Sequence, residues 1–244
     1  MIPDGDARRA ELAGRLTAVR GRIAAACAAA GRDPAEVTLV AVTKTYPASD
    51  VRRLVDLGVH DIGENRDQEA APKAAELAAA DVLVRWHFVG QLQRNKAKSV
   101  AAYADLVHSV DSVPLATALD RAADRYRDRP LDVLVQVSLD GDLDRGGAAR
   151  DAAVPDRDLD RVISAVARAE SLRLRGVMTI APLSWDPAVA FSRLAEVAHG
   201  LRHDHPGATV VSAGMSADME EAIAAGATHL RIGTAFLGNR APLR

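Results

Sequence analysis

The stretch Val37-Thr38-Leu39-Val40-Ala41-Val42-Thr43-Lys44-Thr45-Tyr46 decides the fold. Val37 to Val42 are nearly all apolar and largely β-branched, the composition of a strand buried on both faces, as in a parallel sheet. Pro47 removes a ladder donor, so the strand is expected to stop beside Lys44. An amine at the carboxyl end of a buried parallel strand lies where α/β folds place their chemistry. The alternative is a lysine whose stem lies on the rim and whose ammonium is solvated.

Outward from this strand the pattern repeats. Strand-like runs fall at 37–43, 59–62, 82–89, 106–110, 131–139, 172–180, 209–213 and 229–232. Helical stretches are expected at Val51, Leu54 and Val55 up to Gly58, after Asn65, and over 92–103, 113–128, 157–170, 187–203 and 217–225. Eight strand–helix units in 244 residues predict a single (β/α)8 TIM barrel over 1–244, with an open doubly wound sheet as the competing architecture. An opening helix over 8–30 carries Leu12, Leu16, Val19, Ile23 and Cys27 on one stripe, stops at Gly31, and is expected to close the barrel bottom. Pro72 predicts a kink or two short helices. The loop 140–157, polar and glycine-rich, is expected to be mobile.

Composition narrows the function. A net charge of −2 with interspersed signs gives no basic stripe for nucleic acid. No apolar run reaches membrane-spanning length. The first residues lack the layout of a signal peptide, and the lone Cys27 suits a reducing compartment, so a cytoplasmic location is expected. His203 and His205 resemble a metal pair but have no third ligand nearby in sequence, and no metal site is expected.

In a barrel, the strand ends form one surface. It would hold Lys44, Asn65, His87 to Gln91, His108-Ser109 with Asp111, Met178-Thr179, Ser212 to Ser216, and Arg231 to Thr234. The last two groups resemble a phosphate cradle. Gly214 allows close backbone approach, Ser216 is placed to cap helix 217–225, and Gly233-Thr234 adds a turn with a hydroxyl. Ser216 as a plain helix cap, with Asp218 and Glu220 serving the dipole, is the structural alternative. A lysine facing a phosphate pocket suits a Schiff base to a phosphorylated aldehyde, a description that fits pyridoxal 5'-phosphate.

The segments 41–45, Gly63-Glu64-Asn65, 86–96, 174–178, Gly214-Met215-Ser216-Ala217-Asp218-Met219 and 231–238 together resemble the pyridoxal-phosphate homeostasis proteins of YggS/PROSC type, over about 8 to 239. The resemblance implies a barrel of the alanine-racemase N-terminal-domain type. It implies that Lys44 carries the internal aldimine and that Ser212, Ser216, Gly233 and Thr234 hold the phosphate, beside Gly214 and Met215. Arg231 would face the pyridine nitrogen, and Asn65, His87 and Met178 would line the pocket. The chain departs from the family pattern at Gln91, at Asp144-Arg145, and at Ala213, where the family has methionine.

Three functions are weighed. The first is a carrier that holds pyridoxal phosphate and delivers it to apo-enzymes. The second is a racemase-like enzyme acting on amino acids, and the third a cofactor-free Schiff-base aldolase. The two phosphate motifs argue against the third. Against the second, an arginine at the ring nitrogen cannot give up a proton, which weakens the electron sink. Racemases share that arginine, so it alone does not decide. Only six residues follow Gly238, too few for a second domain supplying another base. The carrier reading is preferred, with the protein expected to be a monomer.

Overall fold

The computed structural model describes residues 5–238. Eight parallel strands close into a barrel in chain order. They are β1 Thr38–Val42, β2 Asp61–Glu64, β3 Arg85–Phe88, β4 Leu106–Val110, β5 Leu131–Gln136, β6 Leu172–Met178, β7 Val210–Ser212 and β8 His229–Ile232. The helices are α1 Gly5–Ala29, α2 Ala48–Asp56, α3 Asp67–Ala78, α4 Ala97–Tyr103, α5 Val113–Tyr126, α6 Leu159–Ala167, α7 Pro187–Asp204, α8 Met219–Ala224 and α9 Thr234–Leu237. β1 pairs β8 with Val40 opposite Arg231, and β2 with Val42 opposite Gly63. No helix of the described chain is long and apolar enough to cross a membrane.

Alternation along each strand sorts side chains between two environments. Ala41, Ile62, Trp86, Phe88, Val107, Val133, Val135, Val177, Val211, Leu230 and Ile232 face outward, packed into one cluster with Leu54, Leu77, Leu119, Phe191, Leu194 and Ile223 of the helices. Inside, Leu106, Leu134, Met178 and Val210 make a small apolar cluster of their own.

The helix stripe at the N-terminus is buried as expected, from Leu12 to Cys27, and Gly31 ends the helix with φ +65°. Its place differs from the expectation. α1 does not close the bottom but lies alongside the barrel against α8, α9 and α2. Arg8 near its start donates to Leu237 O at 3.2 Å, and Arg32 just past its end donates to Ile223 O and Ala227 O. The reason is length: α8 has six residues and α9 four, too short to cover β8 and β1 alone.

Two further expectations are corrected. Pro72 lies inside α3, which runs as one helix; the proline sits in its first half and removes a single ladder bond. The third strand begins at Arg85 rather than Val82, because Asp81 turns the chain at φ +54° and leaves Leu83 82% exposed. The loop 140–157 is tied down at several points: Arg157 donates to Asp111 at 2.9 Å and to Leu143 O at 2.6 Å, and Ala148 bridges to Val137.

Candidate functional site

Lys44 follows the last paired residue of β1. The alternation that sends Val40 and Val42 inward, where a Cβ on Gly63 would touch their methyls at 3.1 and 3.3 Å, continues to Lys44 at the mouth. The sequence holds four lysines. Lys73 is buried against Glu64, Lys96 lies 3.7 Å from Asp67, and Lys98 sits over the Tyr126 ring. Lys44 is exposed and, among the described residues, has no ion pair or hydrogen bond. It is the amine left available.

At the same end of the barrel, the turns after β7 and β8 converge. The Thr234 hydroxyl lies 3.3 Å from that of Ser216, which also accepts from Ala235 N at 3.2 Å. Ser216 does not cap α8, which starts at Met219 with Asp218 before it, and Asp218 accepts from Met215 N at 2.5 Å. This leaves the Ser216 side chain turned toward Thr234. Gly214 is required for packing, since it has φ +90° and a Cβ there would meet Ala222 at 2.6 Å and Leu230 at 2.9 Å. Gly233 differs: its nearest neighbours would be Val42 atoms at 3.4 and 3.6 Å, so the backbone there is open to a ligand. Met215 is exposed at 39% on the rim.

Below the mouth, Arg231 is 6% exposed and donates to Ser212 Oγ at 2.7 Å and Thr179 O at 2.7 Å. No carboxylate pairs with it among the described residues. Burial pushes the guanidinium down to about 10, with Asp218 pulling the other way, so it stays cationic at neutral pH.

Ser212 leads deeper. His108 Nδ1 lies 2.9 Å from its Oγ, His108 Nε2 2.9 Å from His87 Nδ1, and His87 Nε2 2.9 Å from Asp61 Oδ1. Asp61 fixes one end of this chain, because an ionised carboxylate only accepts. His87 Nε2–H donates to that carboxylate, and the direction of the two links from His87 through His108 to Ser212 follows the ring tautomers. Burial, then the charges of His87 and Arg231, hold His108 well below the usual imidazole range. For Asp61, burial alone would raise the carboxyl, yet the hydrogen bond and charge of His87 keep it below its ordinary value.

Thus the structure brings Lys44, Ser216, Gly233 and Thr234 to one mouth, with Arg231 and Ser212 beneath. His87 lies deeper, 1% exposed within the barrel, and Met178 packs in the inner apolar cluster. Asn65 stands at the end of β2, its backbone pressed against Gly90, where a Cβ would meet Asn65 O at 2.1 Å. Its Oδ1 is buried without a hydrogen-bond partner among the described residues. Sequence reasoning missed Asp61 and Lys73. Lys73 was findable, because it falls on the buried stripe Ala70, Ala74, Leu77 of α3, where a lysine needs a partner. The roomier surface clefts lie elsewhere: one of about 1310 Å³ is lined by 91–95, 111–115 and Arg157, and another of about 970 Å³ lies between α3 and α4. Among the described residues, no three His, Cys, Asp or Glu side chains gather to hold a metal.

Residues 15–241 match the family described as alanine racemase, N-terminal domain. The pyridoxal phosphate homeostasis protein of Mycobacterium tuberculosis is 48% identical over 246 residues, covering 96% of this chain and 94% of the relative. That of Escherichia coli is 39% identical over 240 residues, covering 94% and 97%. The solved structure of PipY from Synechococcus elongatus, with pyridoxal phosphate bound, superposes with a TM-score of 0.75 at 34% identity, covering 93% of this chain and all of that one. The chain therefore belongs to the pyridoxal phosphate homeostasis proteins, within the alanine racemase N-terminal domain family.

Proposed function

We propose that this protein holds pyridoxal 5'-phosphate at the barrel mouth, bound covalently through Nζ of Lys44, and serves its storage and delivery to apo-enzymes without robust turnover of its own. The observation that carries the reading is one unengaged lysine after β1, at the barrel end where two hydroxyls meet in the turns after β7 and β8. When bound, pyridoxal phosphate supplies an aldehyde that condenses with a primary amine and a phosphate that accepts hydrogen bonds. The residues present fit it. Lys44 offers the amine, and the Ser216 and Thr234 hydroxyls with the open backbone at Gly233 offer phosphate donors. The orphaned Asn65 Oδ1 offers a further acceptor at the end of β2.

Arg231 supports a holding role over catalysis. Its two bonded nitrogens fix the guanidinium plane, and it presents a cation with no proton to give to a ring nitrogen. A carrier needs only to bind and orient; a strong catalyst of carbanion chemistry benefits from a carboxylate there.

The test begins with Ser216→Ala combined with Thr234→Ala. Each hydroxyl bond to a charged group contributes on the order of 1.5–3 kcal/mol. Affinity for pyridoxal phosphate should fall at least tenfold while that for pyridoxal barely changes; equal losses would contradict the cradle. The loaded protein should also show no catalytic efficiency on any L-amino acid near about 10⁴ M⁻¹s⁻¹, the low end of the usual enzyme range. It should pass its cofactor to an apo-enzyme in the presence of a trap for free aldehyde.

A further inference from the structure

We propose that Lys73 and Glu64 are positioning residues, a buried pair that sets the backbone from which Lys44 reaches the mouth. This rests on the proposed role of Lys44. Their side chains are 7% and 1% exposed. Lys73 Nζ donates to Glu64 Oε1 and, at 3.1 Å, to the carbonyl of Thr43, the residue before Lys44. The Thr43 hydroxyl donates to the same Glu64 oxygen at 2.6 Å. Thr43 N donates to Gly63 O at 2.9 Å, and Tyr46 N to Thr43 O at 3.0 Å. Every polar group of Thr43 is thus engaged, on the outward side of the wall, and Lys44 follows on the inward side.

The next residue shows what this fixation holds. Thr45 has φ +67°, a left-handed conformation that a β-branched residue adopts only when its surroundings impose it. Its N–H is held by Glu69 Oε2 at 2.9 Å, one helical turn from Lys73 on α3. On the other side, the Tyr46 hydroxyl lies 2.7 Å from Gly238 O and 3.1 Å from Leu237 O, at the end of α9, the helix that Thr234 opens. The turn bearing Lys44 is therefore tied to α3 and to the helix with the phosphate-facing hydroxyl.

A tie between helix and sheet alone does not call for this pair. Apolar residues of similar volume join such elements at least as well as a buried ion pair. What the pair adds is the bond to Thr43 O.

The test uses the full chain with Lys73→Met, which keeps stem length and removes the amine. In the protein without cofactor, hydrogen exchange at the Thr45 and Tyr46 amides should quicken at least tenfold. Covalent attachment of pyridoxal phosphate, read as borohydride-fixed product on Lys44, should slow at least tenfold. Affinity measured in a Lys44→Ala background, where no such bond forms, should change less than twofold. Lys73→Arg, which restores a cation to Glu64 and Thr43 O, should recover part of the rate. Unchanged exchange and attachment in a folded Lys73→Met protein would overturn the proposal, as would rate and affinity falling in step. If Lys73→Met does not fold, Thr43→Val answers in its place, with a several-fold slower attachment expected and an unaltered rate contradicting it. A native chain that forms no product on Lys44 would refute the holding role, while the exchange measurement would still judge the pair.

Discussion

On its outward face the barrel wall presents Ala41, Ile62, Phe88, Val107, Val133, Val177, Val211 and Ile232 to the helices, all apolar. On the inward face the same strands present Asp61, His87, His108, Ser212, His229 and Arg231, joined mostly by hydrogen bonds. The outer face needs shape and apolar area, which many residues supply. The inner face needs each donor matched to one acceptor, and a single loss orphans its neighbours. Stability is spread across the first and chemistry concentrated in the second.

Breaking the outer face should give the largest effect on stability. Phe191, 2% exposed on α7, fills the space between helix and wall, and Phe191→Ala should lower stability by about 3–5 kcal/mol in denaturant melts. A loss below about 1 kcal/mol would mean the wall is not close-packed there.

The inner face should respond more sharply for its size. His108→Leu keeps the volume but leaves His87 Nδ1 without a partner and the Ser212 hydroxyl with Arg231 alone, at about 1–3 kcal/mol for the orphaned group. A neutral or stabilising outcome would contradict the relay.

Acid sharpens the contrast further, through rings that burial keeps neutral. His229 is held down to about 4, by burial first and the charge of His87 second, and His108 lies well below its ordinary value. The unfolded rings take up protons near pH 6.5, so below that the unfolded chain binds more protons than the folded one. The stability they contribute is full above pH 6.5 and is lost as pH falls toward 4, by up to about 1.4 kcal/mol per pH unit for each ring. Melts between pH 7 and 4.5 should follow that slope, and His229→Leu should flatten it. No change of slope in the variant would remove His229 from the account.

The two faces also differ in how legible they were. Short apolar stretches located all eight strands, because a parallel strand in such a fold is buried on both faces. The mouth was legible too, since Lys44, Ser216 and Thr234 sit at strand ends that the barrel topology alone brings together. The inner relay was not. Asp61 and Ser212 lie far apart in sequence, and nothing near either states that His87 and His108 connect them. The helix after Ser216 was expected to span 217–225, whereas Asp218 takes the position before α8, which starts at Met219. The path of α1 followed from the shortness of α8 and α9, which appears only once their ends are known.

The account turns on which amine the mouth offers. With four lysines in the sequence, borohydride reduction of the protein loaded with pyridoxal phosphate, followed by peptide mass mapping, decides among them directly. The predicted result is one modified peptide, carrying Lys44, with the visible absorbance and the adduct both lost in Lys44→Ala. An adduct on Lys73, Lys96 or Lys98 that persists in Lys44→Ala would contradict it.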